Sequence, residues 1–193
     1  MQKLERSLLW SLEEYARQRE AFRNQIIEHK KARRIPLGAH ANLCFEDFLT
    51  MKYQVQEMLR VERIFEAQGI EEEIESYNPL IPDGGNLKAT FMIEYEDASE
   101  RQAALGTMAG VEDTLWVEAE GGVRTFAIAN EDLDRSTEDK AAAVHFLRFE
   151  LDRATVEAFK SGATVRMGID HPALASVAVL TPEQQSSLAM DLD

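Results

Sequence analysis

The residues best placed to do chemistry begin with a helical run at 50–66. Tyr53, Glu57, Arg60 and Ile64 fall on one face at i, i+4, i+7 spacing. A phenol, a carboxylate and a guanidinium fork on one face would suit a small polar or anionic ligand, with Arg60 as the fork and Tyr53 as a donor. Gln54 and Gln56 add hydrogen-bonding groups. The plainer reading is a solvated helix face with one Glu57–Arg60 ion pair at i, i+3, and it is favoured because such pairs are common and weak. A second set lies on the run AVHFLRFEL. Histidine is the side chain suited to general-base work, and His145 would take that role. It alternates in phase with Leu147, Phe149 and Leu151, so a buried, hydrogen-bonded core histidine is the plainer reading. Arg148 and Glu150 share the opposite side with Phe146, as an ion pair or an anion contact. Taken together, Tyr53, Glu57, Arg60, His145 and Arg148 define a candidate ligand site between the helix at 50–66 and a sheet.

Metal and redox readings are weaker. The acids Glu57, Glu62, Glu66, Glu71, Glu72, Glu73 and Glu75 invite a di-metal carboxylate site, but the run contains no histidine at the i, i+3 spacing that such bundles use. His29, His40, His145 and His171 are far apart in sequence, and a site from His40, His145 and a glutamate is not required by any spacing. No metal is assigned. One cysteine, Cys44, sits between Leu43 and Phe45. It excludes an internal disulfide and reads as a buried, inert thiol. The Pro79–Asn86 cluster is not a P-loop, because no Gly-Lys-Ser/Thr follows and a strand stands where a helix is needed. It reads as a turn that launches the next strand. Asp170-His171 before Pro172 reads as a turn whose aspartate caps the backbone.

The elements that would hold these groups follow from periodicity. Residues 3–34 read as helix, with Ser11 and Glu14 spaced as a capping box and a break near Trp10. Pro36 forces Ile35 out of the helical region and Gly38 follows, which marks a boundary. Residues 39–46 read as a strand, 47–68 as a helix ending at Gly69, and 70–77 as a short acidic helix. Later strands are expected at 87–95, 114–119, 123–129, 142–151, 163–170 and 175–180. Helices are expected at 97–109 and 153–161, and a last one opens at Thr181-Pro182. Residues 130–140 form a charged connection. The fold class is α+β: an N-terminal helical arm, then a mainly antiparallel sheet of about five or six strands with helices packed on it. Residues 1–35 form a basic arm and 36–193 an acidic α+β domain, expected to make one compact unit with the arm.

Charge sharpens that division. The 193-residue chain carries a net charge of −14. Residues 1–35 hold nine basic residues against five acids, which leaves the rest strongly acidic. An acidic body repels polyanions, so nucleic acid is not expected as a partner. The plainer reading is that the arm docks on its own acidic body or is simply solvated, ahead of a second copy or another acidic protein. With 45% hydrophobic residues the chain can pack a core. No apolar run reaches the length of a membrane span, and MQKLERSLLW lacks the apolar centre of a signal peptide, so a soluble, cytoplasmic protein is expected.

The stretches FEDFLTMKYQVQEMLRVERIFE (45–66), YNPLIPDGGNLKATFMIEYED (77–97) and AVHFLRFEL (143–151) resemble the bacterial family called domain of unknown function 3501. The resemblance runs through most of the chain. Asn130 and Ala141-Ala142 stand where the family pattern favours Asp and Thr-Ser. The resemblance implies an accessory role in redox or oxidative-stress chemistry, beside rubrerythrin-like and iron–sulfur partners, and it supplies no active-site residues. The leading expectation is therefore a non-catalytic accessory protein, a homodimer or a complex with such partners. The alternative is a metal- or small-ligand-dependent enzyme or sensor using the site named above. The cofactor is unknown.

Overall fold

The computed structural model describes residues 1–129, 131 and 140–193. The expected charged connection at 130–140 falls mostly on residues 130 and 132–139, outside the described residues, as does Asn130. The α+β class holds, in two antiparallel sheets rather than one.

The N-terminal part is helical. A short 3-10 turn at Arg6–Leu8 precedes α1 (Leu12–Lys31). Ser11 caps α1 by accepting the Glu14 N–H at 3.2 Å, so the break near Trp10 is real. After α1 the chain enters the sheet at once: β1 (Arg34–Pro36) pairs with β2 (Ala41–Glu46). The boundary expected at Pro36 is thus the first strand. Proline is tolerated there because β1 is an edge strand, where a missing N–H costs no ladder bond.

Two helices follow, α2 (Phe48–Val61) and α3 (Ala67–Tyr77). Asp47 caps α2 in a capping box with Thr50. The helix expected to run to Gly69 stops eight residues earlier. Arg63 takes a left-handed conformation (φ 56), and the Ile64 N–H reaches back to the Leu59 carbonyl at 2.9 Å, as in a Schellman ending. Gly69 instead sits inside α3, where a Cβ would lie 2.8 Å from an Ile64 methyl. It is a glycine for close approach, not for termination.

The first sheet has the order β1-β2-β3-β7-β6, with β3 (Asn86–Ile93), β6 (Ile128–Ala129) and β7 (Val144–Glu150). The second has the order β5-β4-β8-β9, with β4 (Leu115–Ala119), β5 (Thr125–Phe126), β8 (Val165–Ile169) and β9 (Ser176–Val179). The strand expected at 123–129 is split between them. Phe126 pairs with Trp116 in one sheet and Ile128 with Arg148 in the other, so the chain turns a corner at Ala127. Inward residues of both sheets, Phe45, Phe91, Phe149, Val117 and Met167 among them, form one core. Helices α4 (Ala98–Leu105), α5 (Arg153–Ser161) and α6 (Pro182–Ala189) add Leu105, Phe159 and Leu188 to it. Asp97, Asp152 and Thr181 cap the three helices.

Candidate functional site

The five predicted site residues fall in three separate places. The first is the seam between α1 and α2. Glu57 accepts the Tyr15 hydroxyl at 2.6 Å and the Arg19 guanidinium at 2.7 and 2.9 Å, while Arg60 stands farther off at 3.6 Å. The Arg19 fork, ahead of the other contacts, holds the Glu57 carboxyl down at about 2. Burial, then the bond to Glu57, pushes the Tyr15 phenol up. Tyr53 lies edge-on to Phe22, 5.7 Å between ring centres. The Glu57–Arg60 pair expected from sequence is the weaker half of this arrangement. The stronger half is a clamp that fastens the basic helix to its own chain. Gln56, also singled out, is a structural brace: its carboxamide oxygen accepts the Trp10 N–H at 2.7 Å.

The second place is the core. His145 is 0% exposed. Its Nε2 donates to the Ala142 carbonyl at 3.0 Å, since a carbonyl can only accept, and Nδ1 faces Glu112 at 3.9 Å. It is the hydrogen-bonded core histidine of the plainer reading, and it lies on the opposite side of β7 from Arg148. The third place is the outer face of the five-stranded sheet, where Arg148 binds both Glu131 carboxylate oxygens (2.8 and 2.9 Å) and Glu150. A single site between α2 and the sheet is therefore not formed by these five residues. A metal site from His40 and His145 is not formed either. His40 is exposed and stacks on Tyr95 at 4.0 Å, whereas His145 is buried, and among the described residues no three His, Cys, Asp or Glu side chains gather as metal ligands.

Sequence reasoning missed a buried ionic node at the end of α1. Arg33, 1% exposed, donates to the carbonyls of Phe45, Glu46 and Ser187 at 3.1–3.2 Å and binds the Asp191 carboxylate. Asp47 lies 3.5 Å from the same guanidinium and takes the His29 ring at 2.6 Å. The run His29 to Arg34 reads in sequence only as cations at a helix end, and nothing in it marks one arginine as a core residue. Burial works to raise the Asp47 carboxyl, but His29, Arg33 and the Thr50 N–H together hold it below its usual range. Burial pushes Asp191 up to about 6, against the pull of Arg33. An acid whose folded pKa is raised makes the folded state take up its proton first, so this carboxyl adds stability as pH falls. Relative to Asp191→Asn, the wild-type chain is expected to gain up to about 2 kcal/mol between about pH 7 and pH 4. Urea unfolding across that range checks it, and parallel profiles for the two proteins would contradict it.

The outer face of the four-stranded sheet is the remaining feature. Phe126, Trp116, Gly168 and Val177 line up across β5, β4, β8 and β9. The Trp116 indole lies on Gly168, donates to Asp170 at 2.8 Å and is covered by the Arg124 guanidinium at 3.7 Å. Around this stack Phe126, Val177 and Val179 stand 47%, 59% and 58% exposed. Arg124 pairs with Glu118 and Asp170, and Arg166 approaches Glu118 at 3.9 Å. The face is apolar in its middle and neutral in its charged groups.

The family model described as protein of unknown function (DUF3501) matches residues 3–192. The chain belongs to this family. A search of curated proteins returned no match. A crystal structure at 1.90 Å described as a novel protein of unknown function, from Burkholderia pseudomallei K96243, is similar to this chain at 45% identity. The match covers 100% of both chains, with a TM-score of 0.94. At this TM-score the two chains share one fold. No described helix of this DUF3501 chain is long and apolar enough to cross a membrane.

Proposed function

We propose that this DUF3501 chain is a non-catalytic accessory protein that presents the outer face of its four-stranded sheet to a partner protein. The observation that carries this reading is the exposed trio Phe126, Val177 and Val179 around the Trp116–Gly168 stack. Contiguous apolar side chains on a folded surface mark interaction sites more often than scattered ones. In a chain of net charge −14, a patch whose arginines and acids balance is where another protein can approach without burying unpaired charge. The catalytic alternative has less support, because Glu57 is spent in a helix clamp and His145 faces the core.

The partners to test are those that the family resemblance implies, a rubrerythrin-like protein and an iron–sulfur oxidoreductase, with the chain supporting redox chemistry in the cytoplasm. Native mass spectrometry of the chain mixed with each purified partner is expected to show a complex. The double substitution Phe126→Glu, Val179→Lys is expected to weaken it at least about tenfold, since a charge would enter the dry centre of the interface. Absence of a complex with either partner, or equal binding by the variant, would overturn the proposal. A homodimer abolished by the same variant would give the face to a second copy of the chain instead.

A further inference from the structure

A second site lies on the other sheet and is independent of the partner reading. On the outer face of the five-stranded sheet, Lys30 from the end of α1, Arg34 from β1, Cys44 and Glu46 from β2, and Thr90 and Met92 from β3 enclose a cavity of about 290 Å³. Its floor is unusual. Glu46 is 7% exposed, and one carboxylate oxygen accepts the Thr90 hydroxyl at 2.8 Å. The other oxygen, Oε2, is buried and has no donor among the described residues. A buried carboxylate oxygen left without a donor is costly, and in a cavity wall it is a place for a donor from outside the chain.

The cations around the cavity are not equally available. Arg33 is committed to Asp191 and three carbonyls. Arg34 is committed to Glu94 at 2.8 Å and Asn42 at 3.0 Å. The Lys30 ammonium makes no ion pair or hydrogen bond among the described residues. Cys44 lines the same cavity and feels the charges of Glu46, Arg34 and Lys30. Burial first, and then Glu46, pushes its thiol up, so it remains a protonated wall and not a nucleophile. The cavity therefore offers one unspent carboxylate oxygen and one unspent ammonium, across a soft wall of Cys44 and Met92.

We infer that this cavity binds a zwitterion of amino-acid size, its ammonium on Glu46 Oε2 and its carboxylate at Lys30. A cavity of about 290 Å³ is at the small end of ligand pockets, which fits a single amino acid and not a nucleotide or a peptide. Both charges of the ligand are needed. An anion alone would meet Lys30 but face the Glu46 carboxylate, and an amine alone would leave Lys30 unused.

The test is calorimetric titration of the full chain with each of the twenty proteinogenic L-amino acids singly, with acetate and methylamine as half-ligand probes. At least one amino acid is expected to bind one to one with a dissociation constant below about 1 mM. Glu46→Gln, which keeps an acceptor for Thr90, is expected to weaken that binding at least about tenfold, as is Lys30→Met at a partly exposed position. Circular dichroism melts of both variants establish that they fold. Failure of all twenty amino acids at about 10 mM overturns the proposal. Equal binding by Glu46→Gln, or acetate or methylamine binding as tightly as the amino acid, overturns it as well.

Discussion

Arg33→Met is expected to lower the unfolding free energy by about 3–5 kcal/mol, the largest single loss in the molecule. Methionine keeps the packing of the arginine stem, so the loss is that of the guanidinium, its bonds and the space it fills. At 1% exposure, Arg33 holds two carboxylates, Asp191 and Asp47, and three carbonyls. Removing it leaves two acids in a buried place without their guanidinium, Asp191 with no cation paired to it among the described residues and Asp47 with the His29 ring and the Thr50 N–H. Arg33→Lys is expected to recover only part of the loss, because one ammonium cannot span the same acceptors. Part of the loss should also disappear at low pH, where the two acids are neutral. Urea unfolding followed by circular dichroism reads these values. A change below about 1 kcal/mol would mean that the node is solvated and does not tie α1, α2 and α6 together.

Gly168→Val is expected to cost about 3 kcal/mol and to disturb the proposed docking face. A Cβ at this position would lie 2.6 Å from one indole atom of Trp116 and 2.8 Å from the Ser176 carbonyl. The indole cannot slide, since Asp170 holds its N–H and Arg124 covers its face. The side chain must leave the sheet, or β9 must move. Trp116 fluorescence in a Trp10→Phe background is expected to shift to longer wavelength as the ring enters water. An unchanged emission maximum with unchanged stability would show that the stack is not rigid. The same substitution links fold to function, because Phe126 and Val177 flank the displaced ring.

Local signals were legible in the sequence where a short-range rule governs the backbone. Ser11 and Thr181 cap the helices that the sequence opens at them. The alternation around His145 placed it inward and Arg148 outward, as the register shows. What failed depends on distant partners. The split of residues 125–129 between two sheets is set by Trp116 on one side and Arg148 on the other. The early end of α2 is set by the packing of Ile64 on Gly69, with no glycine at Arg63 to announce it. The candidate site suffered in the same way. Helical spacing placed Tyr53, Glu57 and Arg60 on one face, but it could not say that Tyr15 and Arg19 would cover that face. Three ion pairs run from residues 1–35 to the rest of the chain, Arg19 to Glu57, Arg33 to Asp191 and Arg34 to Glu94, and none of their partners is marked by a local pattern.

The most direct measurement is amide hydrogen exchange of the chain alone and with each redox partner at saturating concentration. Exchange is expected to slow in β5, β8 and β9, around Phe126, Gly168 and Val177, with α1, α2 and the core around His145 unchanged. Slowed exchange centred on Tyr53, Glu57 and Arg60, or no change anywhere, would contradict that expectation.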